Sequence, residues 1–382
     1  MEAVVLYLIY FAAAWSIAYL IVKWRWRKSI ENSKNFGIYP FFIIVKSEKM
    51  VRVFDKLVSF NRRLWKILSN IGILVALGLS MFAVFYLADN LKTYLLTPQE
   101  VGVANIVIPI IIGVTIRIEH LPYLLLAFMI VLVTHEGMHG LVARLEKIKI
   151  KSTGFFLAFI FPGGFVEPEE EDFKNASTLS KLRVAAAGSF ANLLVGLLVV
   201  LMFLTLFTPS ISGVIVLETT EDSLIKPYDV VYSVNGYPLN PETLFQNITI
   251  RDKIVIETSS GNYTYHISKP VTIQLAHILR EAGIIRIDYF RPTVLKLSDP
   301  GLEYSFFRSL WWVQLISFGV AIFNMLPIKI LDGHLFYMSL IQSKIKNSKI
   351  LKILDNMLTI TCTGLLISNI VFTYKTFGFF QL

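Results

Sequence analysis

A single cysteine, Cys362, stands in 382 residues. That excludes an intrachain disulfide and any metal site built from several thiolates, so a bound metal would need His and carboxylate ligands. Charge is scarce as well: 16% of residues are Asp, Glu, Lys or Arg, against about 25% in a soluble globular domain. Internal repeats are missing, which removes solenoids and propellers. What is abundant is apolar surface, at 55% of residues, and a bilayer is the simplest place to hide it. The net charge of +9 sits beside apolar runs, as the positive-inside rule expects, and this argues against a nucleic-acid partner.

About 20 apolar residues are needed to cross a bilayer. Six runs qualify: Val4–Val22, Ile71–Ala88, Leu121–Val142, Val184–Phe207, Phe306–Leu326 and Ile353–Tyr374. A seventh, Ile330–Ile341, is too short to cross alone and is expected to continue or re-enter beside its neighbour. The first run follows Glu2 and precedes Lys23, Arg25, Arg27 and Lys28. A signal peptide has the reverse polarity, so this reads as a retained helix with its N-terminus outside. The basic stretch to Lys66 then belongs to the cytoplasm, as do Arg144–Lys151, Lys181, Arg183 and Lys329–Lys352. The remaining long segment, Thr208–Tyr304, falls outside.

The spans define the expected organisation. Residues 1–120 carry the first membrane helices and a basic cytoplasmic loop, and residues 121–207 the first part of a membrane core. Residues 208–304 form a soluble domain, 305–343 the second part of the core, and 344–382 a last membrane helix. Two segments depart from the helical pattern. Thr153–Val166 is apolar and aromatic but interrupted by Pro162, Gly163 and Gly164, which forbid a continuous helix. It reads as a hairpin or a re-entrant loop, tolerable at membrane depth when protein or a wet cavity covers its backbone. Glu167–Asp172 returns the chain to water. In Thr208–Tyr304, strands are expected at Gly213–Leu217, Asp229–Val234, Lys253–Glu257 and Tyr263–Ile267. Turns are expected at Asn235-Gly236 and Ser260-Gly261-Asn262, and a helix at Gln274–Ala282, ended by Gly283.

Chemistry concentrates in a few polar residues inside apolar runs. His135, Glu136 and His139 form a His-Glu-x-x-His pattern. On a helix, residues i and i+4 share a face, so two imidazoles can grip one zinc ion while the intervening glutamate activates water. Placing three ionisable groups within a span costs roughly 3 kcal/mol or more each, unless they pair or hold a metal. Catalytic zinc usually takes three protein ligands. Asp332 is the first candidate for the third, with His334 as its rival. Asn192, in Gly188–Asn192, is a lone amide among Ala, Leu and Val; it either bonds a neighbouring helix or donates to a substrate carbonyl or oxyanion.

These elements, in this order, resemble the site-2 protease family of intramembrane metallopeptidases. The resemblance covers roughly Leu121 to Leu340 and rests on His135–His139, Gly188–Asn192 and Asn324–Gly333. It implies one Zn2+ held by His135, His139 and Asp332, with Glu136 as general base and Asn192 and Asn324 helping to hold substrate. It implies that the edge of the hairpin pairs with an unwound substrate strand. It also makes Pro227–Gly236 look like the signature of a PDZ domain. The fold expected is a polytopic α-helical membrane protein with about six transmembrane helices, an embedded hairpin and one small extracytoplasmic α+β PDZ-like domain. The active site is expected near the cytoplasmic side. Its partners would be the lipid bilayer and transmembrane protein substrates, some already cut by another protease, with the outer domain controlling entry. A zinc transporter would favour carboxylates on several helices and has no need of Glu136. A non-catalytic scaffold presenting a PDZ-like domain has no use for that carboxylate either.

Overall fold

The computed structural model describes residues 2–31 and 35–378, without the side chains of residues 2–9, 11 and 26–31. The chain divides into two compact units, residues 1–197 with 312–382, and residues 198–311. In the first, α1 (Glu2–Glu31) leads to a hairpin of β1 (Phe36–Tyr39) and β2 (Phe42–Lys46), then to α2 (Glu48–Phe60) and α3 (Arg62–Leu96). α4 (Leu121–Leu145), β3 (Ile150–Ala158), β4 (Phe161–Pro168), α5 (Glu170–Asn175) and α6 (Thr178–Leu206) follow.

The second unit takes the end of α6 and then β5 (Gly213–Thr219), β6 (Val230–Val234), β7 (Tyr237–Pro238) and β8 (Asn247–Ile250). It continues through β9 (Lys253–Thr258), β10 (Gly261–His266), β11 (Val271–Gln274), α7 (Leu275–Glu281) and β12 (Ile284–Phe290). α8 (Pro300–Phe323) returns to the first unit, which closes with α9 (Asp332–Lys344) and α10 (Ser348–Phe377).

Among the described residues, five stretches are long and apolar enough to cross a membrane: Arg62–Leu96, Ile118–Leu145, Thr178–Leu206, Pro300–Phe323 and Ser348–Phe377. Each contains or largely covers one of the expected runs. The chain is thus an integral membrane protein by the length and composition of its helices. The sixth expected run, Val4–Val22, lies on α1, but much of it falls outside the residues whose side chains are described. The short run Ile330–Ile341 forms the 13-residue α9, too short to cross alone.

Local chemistry sets the ends. Pro122 opens α4, where its missing N–H costs nothing. The helix closes on Lys147, whose φ of 65° turns the chain, and the Ile148 N–H bonds the Ala143 carbonyl. Asn61 accepts from the Leu64 N–H to start α3, and Asn347 caps α10 in the same way.

The hairpin expected at Thr153–Val166 is real but belongs to something larger. β3 and β4 pair antiparallel about a turn at Phe159, and β2 and β1 add to β3, giving a four-stranded sheet in the order β1-β2-β3-β4. Two of its strands therefore come from what reads in the sequence as a basic cytoplasmic loop.

The second unit is α+β. Its main sheet runs β10-β9-β6-β5-β12, with β7 on β6 and a separate β8–β11 pair. α7 and the strands enclose a core that includes Val214, Val231, Ile256, Leu275 and Ile278. Asn235 and Gly236 take φ of 50° and 80° and turn β6 into β7, as Asn-Gly predicts. The β9–β10 turn lies at Ser259-Ser260, one residue before the expected position, because Gly261 already pairs with Thr258.

Candidate metal centre

α4, the part of α6 up to Leu197 and the α8–α9 connection, all within the first unit, bring the ionisable residues of the apolar runs together. His135 and His139 stand one turn apart on α4 with their rings 4.8 Å apart. Their Nε2 atoms are separated by 3.2 Å, and Asp332 Oδ2 lies 3.2 Å from the first and 3.0 Å from the second. Both histidines are buried. Among the described residues this is the group of His, Cys, Asp and Glu side chains whose donor atoms converge closely enough for a metal. Asp332 is 193 residues from His139, so only the fold brings it there.

The donor set fits a four-coordinate ion. Zinc bonds of about 2.0–2.1 Å at tetrahedral angles place ligand atoms about 3.3 Å apart, close to the three separations found. Proton accounting agrees. His139 Nδ1 lies 2.7 Å from the Val184 carbonyl, which can only accept, so the proton is on Nδ1 and the Nε2 lone pair faces the group. Two imidazole nitrogens and a carboxylate oxygen facing one another repel unless a cation or proton lies between them. Asn324 Nδ2 donates into the group, 2.8 Å from Asp332 Oδ2 and 3.2 Å from His135 Nε2.

His135 is held from behind by Asn192, whose Nδ2 is 2.8 Å from His135 Nδ1. Placed this way round, the amide leaves Asn192 Oδ1 buried without a partner. Amide oxygen and nitrogen have the same shape, and turning the group over lets Oδ1 accept from His135 Nδ1–H. Both histidines then present Nε2 lone pairs to the metal position. Asn192 is fully buried, and its bond joins α6 to a neighbouring helix, α4, as the first of the two sequence readings has it; the residue it bonds there is His135.

Gly188, one turn before Asn192, has a steric reason. A Cβ there would stand 2.5 Å from His135 Nε2 and overlap His139 Nε2. Gly333 follows the same logic, since a Cβ would overlap the Met325 carbonyl where the chain folds back and the Gly333 N–H bonds Asn324 O. His334, the rival ligand, points elsewhere: its Nε2 is 2.7 Å from Asp355 Oδ1 on α10.

Glu136 faces β4 rather than the histidine pair. Its Oε2 accepts from the Val166 N–H at 3.2 Å. Register explains why that amide is available: β3 and β4 pair Gly154 with Phe165 and Phe156 with Gly163. Alternation along a strand then turns Pro162, Gly164 and Val166 to the outer edge. Glu136 and the N–H-less Pro162 therefore cover part of an edge that would otherwise be open. At its far end, Lys151 Nζ and Ser152 Oγ donate to Glu167 at 2.6 and 2.7 Å. These bonds, the lysine's first, hold the Glu167 carboxyl below the usual carboxylate range.

Sequence reasoning missed what fixes the Val184 carbonyl. Arg183, next to it, is buried and bonds Glu146 Oε1 at 2.8 Å and Asn70 Oδ1 through Nε and Nη2. Ser180 Oγ completes Glu146 at 2.6 Å. In the sequence Arg183 counts as a topology charge, and nothing in its local context reveals partners just past α4 and on α3.

Residues 123–365 match Peptidase family M50. The "Uncharacterized protein MJ0971" of Methanocaldococcus jannaschii is 26% identical over 328 residues, covering 82% of this chain and 81% of that protein. The "Membrane-bound transcription factor site-2 protease homolog" of Arabidopsis thaliana is 26% identical over 158 residues, or 38% of this chain and 31% of that protein. With the match spanning both halves of the His-His-Asp group, the chain belongs to peptidase family M50, the site-2 protease family of metallopeptidases.

Proposed function

We propose that this protein is an intramembrane zinc metalloprotease that hydrolyses peptide bonds within or near transmembrane segments of membrane proteins. One observation carries the reading: three candidate ligand atoms converge to 3.0–3.2 Å, two of them on a helix long and apolar enough to span a bilayer, with Glu136 next to His135 in sequence and against the edge of β4. His135, His139 and Asp332 would hold one Zn2+. Zinc so bound supplies Lewis acidity and makes water a nucleophile near neutral pH.

The chain's own residues do the rest. Glu136 is the general base: it takes the proton of the attacking water on its carboxylate and returns it to the leaving amine. Asn192 and Val184 O orient the two imidazoles, and Asn324 orients the Asp332 carboxylate and stands ready to hold substrate. A transmembrane helix hides its amides in its own hydrogen bonds and must unwind before it can be cut. The outward carbonyls of Pro162, Gly164 and Val166 and the Gly164 N–H offer an unwound segment a strand to pair with.

By the charge argument the active site lies toward the cytoplasm, while the N-terminus and the α+β unit lie outside. The α+β unit, PDZ-like by its Pro227–Gly236 signature, would exclude substrates that keep bulky ectodomains, so that those already trimmed by another protease are favoured. The test is Glu136→Gln. Metal content should stay at one zinc per chain by atomic absorption, while cleavage of a detergent-solubilised transmembrane substrate disappears. Retained cleavage would remove Glu136 from its role.

A further inference from the structure

α2 lies outside the metal centre and has a face with no role in it. The helix is divided lengthwise into stripes. Phe54 and Val58 are buried in a core with Leu141, Val142 and Leu145 of α4. Asp55 Oδ1 accepts from Arg144 Nε at 2.6 Å, Arg62 Nη2 donates to the Leu145 carbonyl, and Trp65 Nε1 to the Leu57 carbonyl. These contacts fix how the helix is rotated about its axis.

Next to the buried stripe, Val53, Leu57 and Phe60 recur at i, i+4 and i+7 and are 48%, 43% and 87% exposed. Beyond them, Lys49, Arg52 and Lys56 recur at i, i+3 and i+7, also exposed. At about 100° per residue, the order around the helix is buried, apolar, basic, with Glu48 and Asp55 on the remaining sector. Past Asn61, the exposed apolar stripe continues as Leu64, Ile67, Ile71 and Leu74 of α3, on a helix long and apolar enough to span.

Water is a poor partner for an exposed Val-Leu-Phe stripe, and a stripe of three cations beside it is complementary to phosphate. An interfacial helix has this arrangement, with its apolar face at the acyl boundary and its cations at the headgroups. We propose that α2 is an interfacial helix that recognises anionic phospholipid headgroups, with Val53, Leu57 and Phe60 in the acyl region and Lys49, Arg52 and Lys56 on the phosphates. Because α2 packs on the end of α4 that follows His139, anionic lipid seated there braces the helix that carries His135 and His139.

The experiment uses the full chain with Cys362→Ser, labelled with an environment-sensitive fluorophore at Leu57→Cys or Ser59→Cys. The protein is reconstituted in phosphatidylcholine vesicles containing brominated phosphatidylcholine or brominated phosphatidylglycerol. The Leu57 label should be quenched and the Ser59 label spared. Phosphatidylglycerol should outcompete phosphatidylcholine beside Leu57 by at least about fivefold at low salt, the factor that ~1 kcal/mol for a single surface cation gives. The preference should fall toward unity with added salt and in the Lys49→Gln/Arg52→Gln/Lys56→Gln variant, and persist in Lys49→Arg/Lys56→Arg. Equal quenching by the two lipids, or a preference unmoved by salt, overturns headgroup recognition without any variant needing to fold. A Leu57 label that neither lipid quenches means protein covers the stripe, a second copy included, and overturns the proposal entirely. None of these outcomes depends on proteolysis.

Discussion

Two of the buried polar clusters in the first unit differ in where their protons go. In one, Asn90 on α3 bonds Asn369 Oδ1 of α10 at 2.7 Å and the Asn105 carbonyl at 2.9 Å. Asn369 Nδ2 bonds the carbonyls of Leu87 and Leu365, while Tyr94, Thr373 and the Val107 N–H share the remaining positions. Donors and acceptors alternate, so the network is closed and ties α3, α10 and the segment between α3 and α4 together. In the other, two imidazole lone pairs and a carboxylate oxygen point at one another. Buried polar atoms in a membrane must be satisfied. The Asn324 amide reaches Asp332 and His135 but not His139 Nε2, so full satisfaction of the converging acceptors calls for a cation or a proton, and that separates a site from a clasp without any appeal to motif.

Breaking the open cluster should have the largest effect. Asp332→Ala removes a ligand atom and should lower zinc affinity by roughly 100-fold or more, beyond the 10–100-fold typical when a residue behind a ligand is lost. His334→Ala, whose imidazole bonds Asp355, should leave affinity nearly unchanged. A competitive chelator titration on the purified protein ranks the two. The reverse order would move the third ligand to His334.

Asn192 probes the layer behind the ligands. Asn192→Ala should weaken zinc binding by about 10–100-fold, because His135 loses the partner that sets its tautomer. Asn192→Asp should recover most of it, since a carboxylate accepts from His135 Nδ1–H as the amide oxygen does. An amide acting as an oxyanion donor predicts the opposite pattern: zinc affinity unmoved by Ala, and activity not rescued by Asp.

The His135–His139 pair was legible because an i, i+4 spacing on an apolar run is a local signal, and the six expected spans all fall on long helices because a long apolar run is a local signal too. Asp332 was legible only as one of two candidates. The residues that choose between it and His334 are Asp355 and the Asn324 amide, one on another helix and one whose role came from resemblance. β1 and β2 were not legible. Phe36–Lys46 neither alternates nor runs long enough to span, and the strand it pairs with, β3, begins more than a hundred residues later. β12 was missed likewise, since its partner β5 lies at the other end of the second unit's sequence. Strand pairing is a long-range fact, and period-2 patterning is weak where both faces are partly covered.

The smallest effect should come from the closed cluster, and it should fall on stability alone. Asn369→Ala deletes the bonds to Leu87 O, Leu365 O and Asn90 Nδ2. Two magnitudes compete. Interhelical hydrogen bonds in membranes average only about 0.6 kcal/mol, because alternative partners are found when helices separate, whereas an unsatisfied buried polar group costs about 1–3 kcal/mol. Asn90 Nδ2 keeps the Asn105 carbonyl, and Leu365 O lies within α10 and keeps its helical bond. Leu87 O does the same within α3. The loss is therefore nearer the lower figure, about 1 kcal/mol, with a small cavity where the amide stood. Thermal unfolding in detergent should shift down by a few degrees while chelator titration returns the unsubstituted zinc affinity. If zinc affinity also falls tenfold, the two clusters are coupled through α3, and the division between clasp and site does not hold.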